Sequence, residues 1–177
     1  MLDLIDKNSF EEIYKIMSAS FPECERRTRE AQLKLFDDAR YKVVAQRGER
    51  GGICAFMAYW ELDGVTFLEH FAVAEHMRGA GLGGKFLDMF MNLLSGTVCL
   101  EVEPPETDIA ARRIEFYKRH GFALNDYNYV QPPLNEKCNA QPLMVMSYGD
   151  RLTRAQFEDV RKKVYAAVYC ANVSDYE

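Results

Sequence analysis

No apolar run in the 177-residue chain approaches the roughly 20 residues that a membrane-spanning helix needs. The opening residues Met1-Leu2-Asp3-Leu4-Ile5-Asp6 lack the basic stretch of a secretory signal. Together these absences predict a cytoplasmic protein with no membrane partner. Positive charge is also in deficit: 22 Lys and Arg face 27 Asp and Glu, a net charge of −5, which disfavours nucleic acid as a partner and suits cationic substrates. Histidine is scarce, with three residues and none at paired metal-ligand spacing. The five cysteines are odd in number, scattered and without a CxxC pair, so they read as reduced thiols with no metal site. Internal repeats and low-complexity stretches are missing too.

What is present is a globular composition, 48% hydrophobic and 28% charged, in a length that suits one domain with a buried core. Asn8-Ser9 before Phe10-Glu11-Glu12 offers a cap for a helix reaching about Ser20, where Phe21-Pro22 stops it. A second short helix runs from Thr28 to about Asp38. Strand patterns follow at Tyr41 to Gln46, Gly52 to Leu62 and Thr66 to Val73, separated by glycine-bearing turns. A helix to about Leu94, a strand from Thr97 to Val102 and a helix capped by Thr107 or Asp108 and ending at Gly121 come next. Phe122 onward is extended, Leu143 to Tyr148 is a last strand, and Thr153 to about Val168 is a terminal helix. The order predicts a mixed α/β fold in one domain, 1–177, with its core in about 41–148 and a C-terminal helix in about 152–169.

Between the third strand and the third helix lies Arg78-Gly79-Ala80-Gly81-Leu82-Gly83-Gly84-Lys85, with four glycines in six residues. Backbone amides opening into a helix N-terminus suit a phosphate group. Three motifs fit. Gly79 to Gly84 matches GxGxxG, but Ala74 to Arg78 separates it from the strand that a dinucleotide fold would place directly before it. Gly79 to Lys85 matches GxxxxGK, but Phe86 stands where a P-loop needs a hydroxyl for Mg²⁺. The third match is a basic residue followed by xxGxG at a strand-loop-helix junction.

That third pattern resembles the acyl-CoA pyrophosphate loop of the GNAT superfamily of N-acetyltransferases. The preceding Leu68-Glu69-His70-Phe71-Ala72-Val73 resembles the family's fourth strand, and Phe116-Tyr117-Lys118-Arg119-His120-Gly121-Phe122 resembles its FYxxxGF segment. The likeness covers roughly Ile13 to Tyr148. It implies a central, mostly antiparallel twisted sheet of about six to seven strands, flanked by helices and with splayed middle strands. It also implies acetyl-CoA as co-substrate and no metal. The acetyl group would pass to a primary amine by direct attack in a ternary complex. A non-catalytic acyl-CoA-binding or sensor module of the same fold is the alternative.

The resemblance assigns the pyrophosphate to the amides from Arg78 through Gly79, Ala80, Gly81, Leu82 and Gly83 to Gly84, with Lys85 a further cation. It assigns the pantetheine arm and acetyl oxygen to Phe71, Ala72 and Val73. Tyr117 matches the tyrosine that protonates the leaving thiolate, although a core-packing role also fits. Glu69 sits where the family often has its base, and Glu101 and Glu103 compete with it. Glu75 replaces a common Pro. Ala110 replaces an Asn seven residues before the tyrosine, so one side-chain contact to the CoA arm is lost. The acceptor is expected among Glu25 of the Phe21 to Arg29 loop and the aromatic residues Tyr59, Trp60, Tyr127 and Tyr129, with Gln131 nearby. The Tyr127 to Pro142 stretch reads equally as a rigid surface loop. The acceptor is expected to be a small-molecule or peptide amine, and the protein a monomer or homodimer.

Overall fold

The computed structural model describes residues 1–176. They form a mixed α/β fold with eight strands, mostly antiparallel, and five α-helices. The strand count exceeds the expected six to seven. The strands beyond the five delimited in sequence are β1 (Asp3–Leu4), β6 (Phe122–Leu124) and β7 (Tyr129–Gln131), each too short to leave a two-residue periodicity. The chain divides into two compact units, one of Met1–Glu61 with Leu68–Leu94, the other of Leu62–Phe67 with the chain from Ser95 onward.

In the first unit, β1 pairs antiparallel with β2 (Tyr41–Arg47), and β2 with β3 (Ile53–Leu62) in a register that sets Tyr41 opposite Trp60 and Val44 opposite Met57. The C-terminal half of β4 (Val65–Val73) lies beside β3, where the Ala74 amide donates to the Cys54 carbonyl. Helix α1 (Phe10–Ser20) buries Phe10, Ile13 and Met17, spaced for one face. The expected Ser9 cap is not made. Asp6 instead caps a 3₁₀ turn, Lys7–Ser9, that leads into the helix. Helix α2 (Arg29–Lys34) is capped by Thr28. An aromatic chain, Phe10 to Phe36 to Tyr41 to Trp60, joins the helices to the sheet through edge-on contacts. Helix α3 (Leu82–Met91) buries Phe86, Leu87, Phe90 and Met91.

In the second unit, β8 (Gln141–Tyr148) is the central strand. It pairs antiparallel with β5 (Thr97–Val102) on one side and with β6 and β7 in succession on the other. The start of β5 runs alongside the start of β4, with the Thr97 amide donating to the Gly64 carbonyl and the Cys99 thiol to the Thr66 carbonyl. Both contacts advance in the same chain direction, so this pairing is parallel. Helix α4 (Asp108–Arg119) is capped by Thr107, and α5 (Arg154–Val164) by a reciprocal Thr153–Gln156 capping box. A π-helical turn, Tyr165–Tyr169, extends α5. Its buried Phe157, Val160, Val164 and Val168 cover this unit's own core. Buried Asn125 ties β8 to the approach of α5: its amide donates to the Val145 carbonyl and Ser147 hydroxyl, and its oxygen accepts from the Leu152 amide.

Cys54, Cys99 and Cys170 are free thiols, whereas Cys24 and Cys138 are disulfide-bonded, which corrects the expectation of five reduced cysteines. Among the described residues, no helix is long and apolar enough to cross a membrane.

Candidate active site

The glycine loop owes its path to two positions. Gly81 precedes α3 with φ of 72°, in the left-handed region, where a side chain would be strained. Gly83, in the first turn of α3, lies so close to β4 that an added Cβ would sit 3.3 Å from the Val73 side chain and 3.7 Å from Phe71. The loop therefore brings the positive end of α3 against the end of β4. Phe71 stacks on Phe86 at 5.4 Å, fixing helix and strand in that relation. Along β4, His70 and Ala72 are buried while Phe71 and Val73 are partly exposed, the alternation expected of a strand with two faces. Arg78 turns back: its Nε donates to the Val73 carbonyl at 3.0 Å and its Nη2 to the Ser20 hydroxyl at 3.0 Å. This guanidinium ties the loop to β4 and α1. Lys85 is exposed.

Glu69 is sealed in. Its Oε1 accepts from Arg27 Nη1 at 2.5 Å and its Oε2 from Trp60 Nε1 at 3.0 Å. Burial alone would raise its pKa, but the Arg27 guanidinium, with hydrogen bonds from Arg27 and Trp60, outweighs it and holds the carboxyl below its ordinary value. The neighbouring His70 bonds the Glu25 carbonyl through Nε2 at 2.8 Å, and burial holds its pKa below 6.5. A neutral ring makes Nε2–H the donor. Nδ1 is then left buried without a hydrogen-bond partner, 3.8 Å from Glu69 Oε2. The edge of the Phe21 ring packs on His70 at 4.8 Å. Glu69 and His70 therefore anchor the loop from Phe21 to Thr28.

In the second unit Glu101 stands partly exposed on β5 in a ring of neutral donors. Tyr129 donates to Oε1, while Gln131 Nε2 and the Tyr169 hydroxyl donate to Oε2, both at 2.7 Å. Glu103 is instead paired with Arg113 at 2.8 Å near the surface. Tyr117 lies on α4, its ring edge-on to Phe116 and to Phe122. Burial pushes its hydroxyl up to about 12, with Arg113 opposing the shift. It therefore keeps its proton throughout the neutral range.

Residues 38–124 match the family model for the Acetyltransferase (GNAT) domain. A GNAT-family protein from Bacteroides thetaiotaomicron superposes with a TM-score of 0.87 at 29% identity, covering 96% of this chain and 98% of its own. Residues 38–124 are a GNAT acetyltransferase domain. More distant structures share the fold. A spermidine N-acetyltransferase from Vibrio cholerae has TM-score 0.65 at 10% identity, covering 84% of this chain and 94% of its own. The ribosomal-protein-S18-alanine N-acetyltransferase from Escherichia coli has TM-score 0.60 at 18% identity, covering 86% and 96%. No curated protein sequence matches the chain.

The remaining candidates of this GNAT chain fall at different depths. Tyr59 is 6% exposed, its ring packed edge-on against Phe90 at 4.9 Å, and Trp60 is held in the core by Glu69. Glu25 offers its carbonyl to His70. Tyr127 donates to the Leu152 carbonyl, and its ring packs tilted against Phe157. Of the expected acceptor residues, Tyr129 and Gln131 meet the candidate carboxylate Glu101, and Trp60 meets Glu69. Sequence reading did not pair Arg27 and Trp60 with Glu69, nor Tyr129, Gln131 and Tyr169 with Glu101. The Arg26-Arg27 pair among acids was the visible hint for the first. For Tyr169 the hint was its place four residues after Tyr165, with the valine face turned inward.

Proposed function

We propose that this protein is an acetyl-CoA-dependent N-acetyltransferase whose acceptor is a primary amine, and that the whole chain works as one catalytic domain. The amides from Arg78 to Gly84, backed by the dipole of α3, bind the pyrophosphate. The backbone of Phe71, Ala72 and Val73 takes the pantetheine arm and polarises the acetyl oxygen. The amine nitrogen attacks the thioester carbon, the C–S bond breaks, and the thiolate takes the proton of Tyr117. The proton released by the amine goes to a carboxylate.

Glu101 is the better acceptor of that proton. Glu69 is bound to a buried guanidinium, which stabilises its charged form and weakens it as a base. Glu101 takes hydrogen bonds from the neutral groups of Tyr129, Gln131 and Tyr169, on a partly exposed strand position. Tyr129 and Gln131 orient it, while Glu69 and Arg27 set the Phe21 to Thr28 loop. Spermidine and a ribosomal-protein alanine, the acceptors named for the two distant neighbours, are both amines, in keeping with this reading.

The observation that carries the proposal is the loop at Gly81 and Gly83, with the N-terminus of α3 brought against Phe71 and Val73. The test is release of free CoA thiol from acetyl-CoA in the presence of an amine panel. Acetyl-CoA binding without thiol release for any amine would instead support a sensor module.

A further inference from the structure

The helical segment that extends α5 does more than close the core of its unit. After Val164 the backbone leaves the α-helix for the π-helical turn Tyr165–Tyr169, which ends at Cys170 in the left-handed region with φ of 52°. Such wide turns recur at functional positions, but this one is informative because of where its side chains go. The Tyr165 hydroxyl donates to the Val130 carbonyl on β7, and the Tyr169 hydroxyl to Glu101 Oε2 on β5. Gln131 Nε2 closes the ring, donating both to Glu101 Oε2 and to the Tyr169 oxygen at 3.0 Å. The carboxylate is thus gripped from a strand two places along the sheet and from a segment 68 residues later in sequence.

We propose that Tyr169 is a positioning residue for Glu101: its hydroxyl, with Gln131, holds the carboxylate in one orientation for its work on the amine. The inference rests on the role given above to Glu101. Three donors, from β7 and from the π-helical turn, leave the carboxylate one orientation. The groups facing Glu101 include Tyr129 and Gln131 from β7 and Tyr169 from the π-helical turn, with Cys99 on its own strand and Tyr165 beside Tyr129. Arg161 on α5 faces Tyr165. Burial raises the pKa of Tyr129 and of Tyr165, so these two phenols stay protonated near neutrality and are not counter-charges.

The test is the Tyr169→Phe variant, read by the carboxyl ¹³C titration of Glu101 and by the pH profile of kcat/KM. The expected result is a rise of about one pH unit in the Glu101 midpoint, matched by the acidic limb of the profile, with KM for acetyl-CoA unchanged. Gln131→Met, which removes the second donor at similar volume, should move both in the same direction. An unmoved midpoint and limb would overturn the proposal even if kcat fell, because Tyr169 would then only pack the C-terminal segment. A wild-type enzyme without turnover on any amine would contradict the proposed function, while the titration would still decide whether Tyr169 acts on Glu101.

Discussion

Arg27 donates to Glu69 at 2.5 Å with the two side chains only 8% and 3% exposed, so neither charge has water to fall back on. Removing one partner of such a pair strands the other. Arg27→Met should destabilise the fold by about 3–5 kcal/mol, whereas Arg27→Met combined with Glu69→Leu should recover most of that loss. Urea unfolding of the two variants checks this; equal losses would contradict the pairing.

The same cluster fixes how stability depends on acid. His70 has a folded pKa below its ordinary 6.5, so below that value the unfolded chain takes up a proton that the folded chain refuses. Its contribution is present above pH 6.5 and lost as the pH falls, by up to about 1.4 kcal/mol per pH unit. Glu69 acts in the same direction lower down: its folded pKa is depressed, so its contribution is present above its unfolded pKa and lost as the pH drops through the folded one. Thermal melts from pH 7.5 to 5 should show falling stability in the wild type and a flatter profile in His70→Gln, where the amide can still donate to the Glu25 carbonyl.

Much of the fold was legible because long elements carry their own periodicity. β5 matches its sequence reading at both ends, and Thr107 caps α4 as its position before Asp108 suggested. The short strands β6 and β7 were not legible, because three residues cannot reveal a register that β8 supplies from outside. Ser9 looked like a cap, yet Asp6 started a tighter turn upstream. At the site, Gly81 and Gly83 were visible as glycines, but the reason for Gly83 is its contact with Val73, ten residues earlier. The partners of Glu69 and Glu101 stayed hidden because Arg27 and Tyr169 lie 42 and 68 residues away in the chain.

The loop itself can be tested by donor binding. Gly81→Asp adds both left-handed strain and a negative charge where a pyrophosphate is proposed to sit. CoA affinity measured by calorimetry should fall by at least about tenfold, while far-ultraviolet circular dichroism stays native. Gly83→Val should act through crowding of Val73 and Phe71, with a similar loss of affinity. Undiminished binding in both would remove the loop from the donor site.

Thr153→Ala removes the capping box that starts α5, at a cost of about 1 kcal/mol, read by urea unfolding. Because α5 leads directly into the turn bearing Tyr169, the variant should also broaden the Tyr169 ring signals in NMR spectra. A change in stability with sharp, unshifted ring signals would uncouple the cap from that turn.

The central claim is acetyl transfer to an amine with Tyr117 as the proton donor. The direct measurement is the rate of CoA thiol release from acetyl-CoA, with an amine panel, for the wild type and Tyr117→Phe at equal acetyl-CoA saturation. The account predicts amine-dependent release in the wild type and a loss of about a hundredfold in Tyr117→Phe, with CoA affinity unchanged. No amine-dependent release from the wild type, or equal rates in the two proteins, would contradict it.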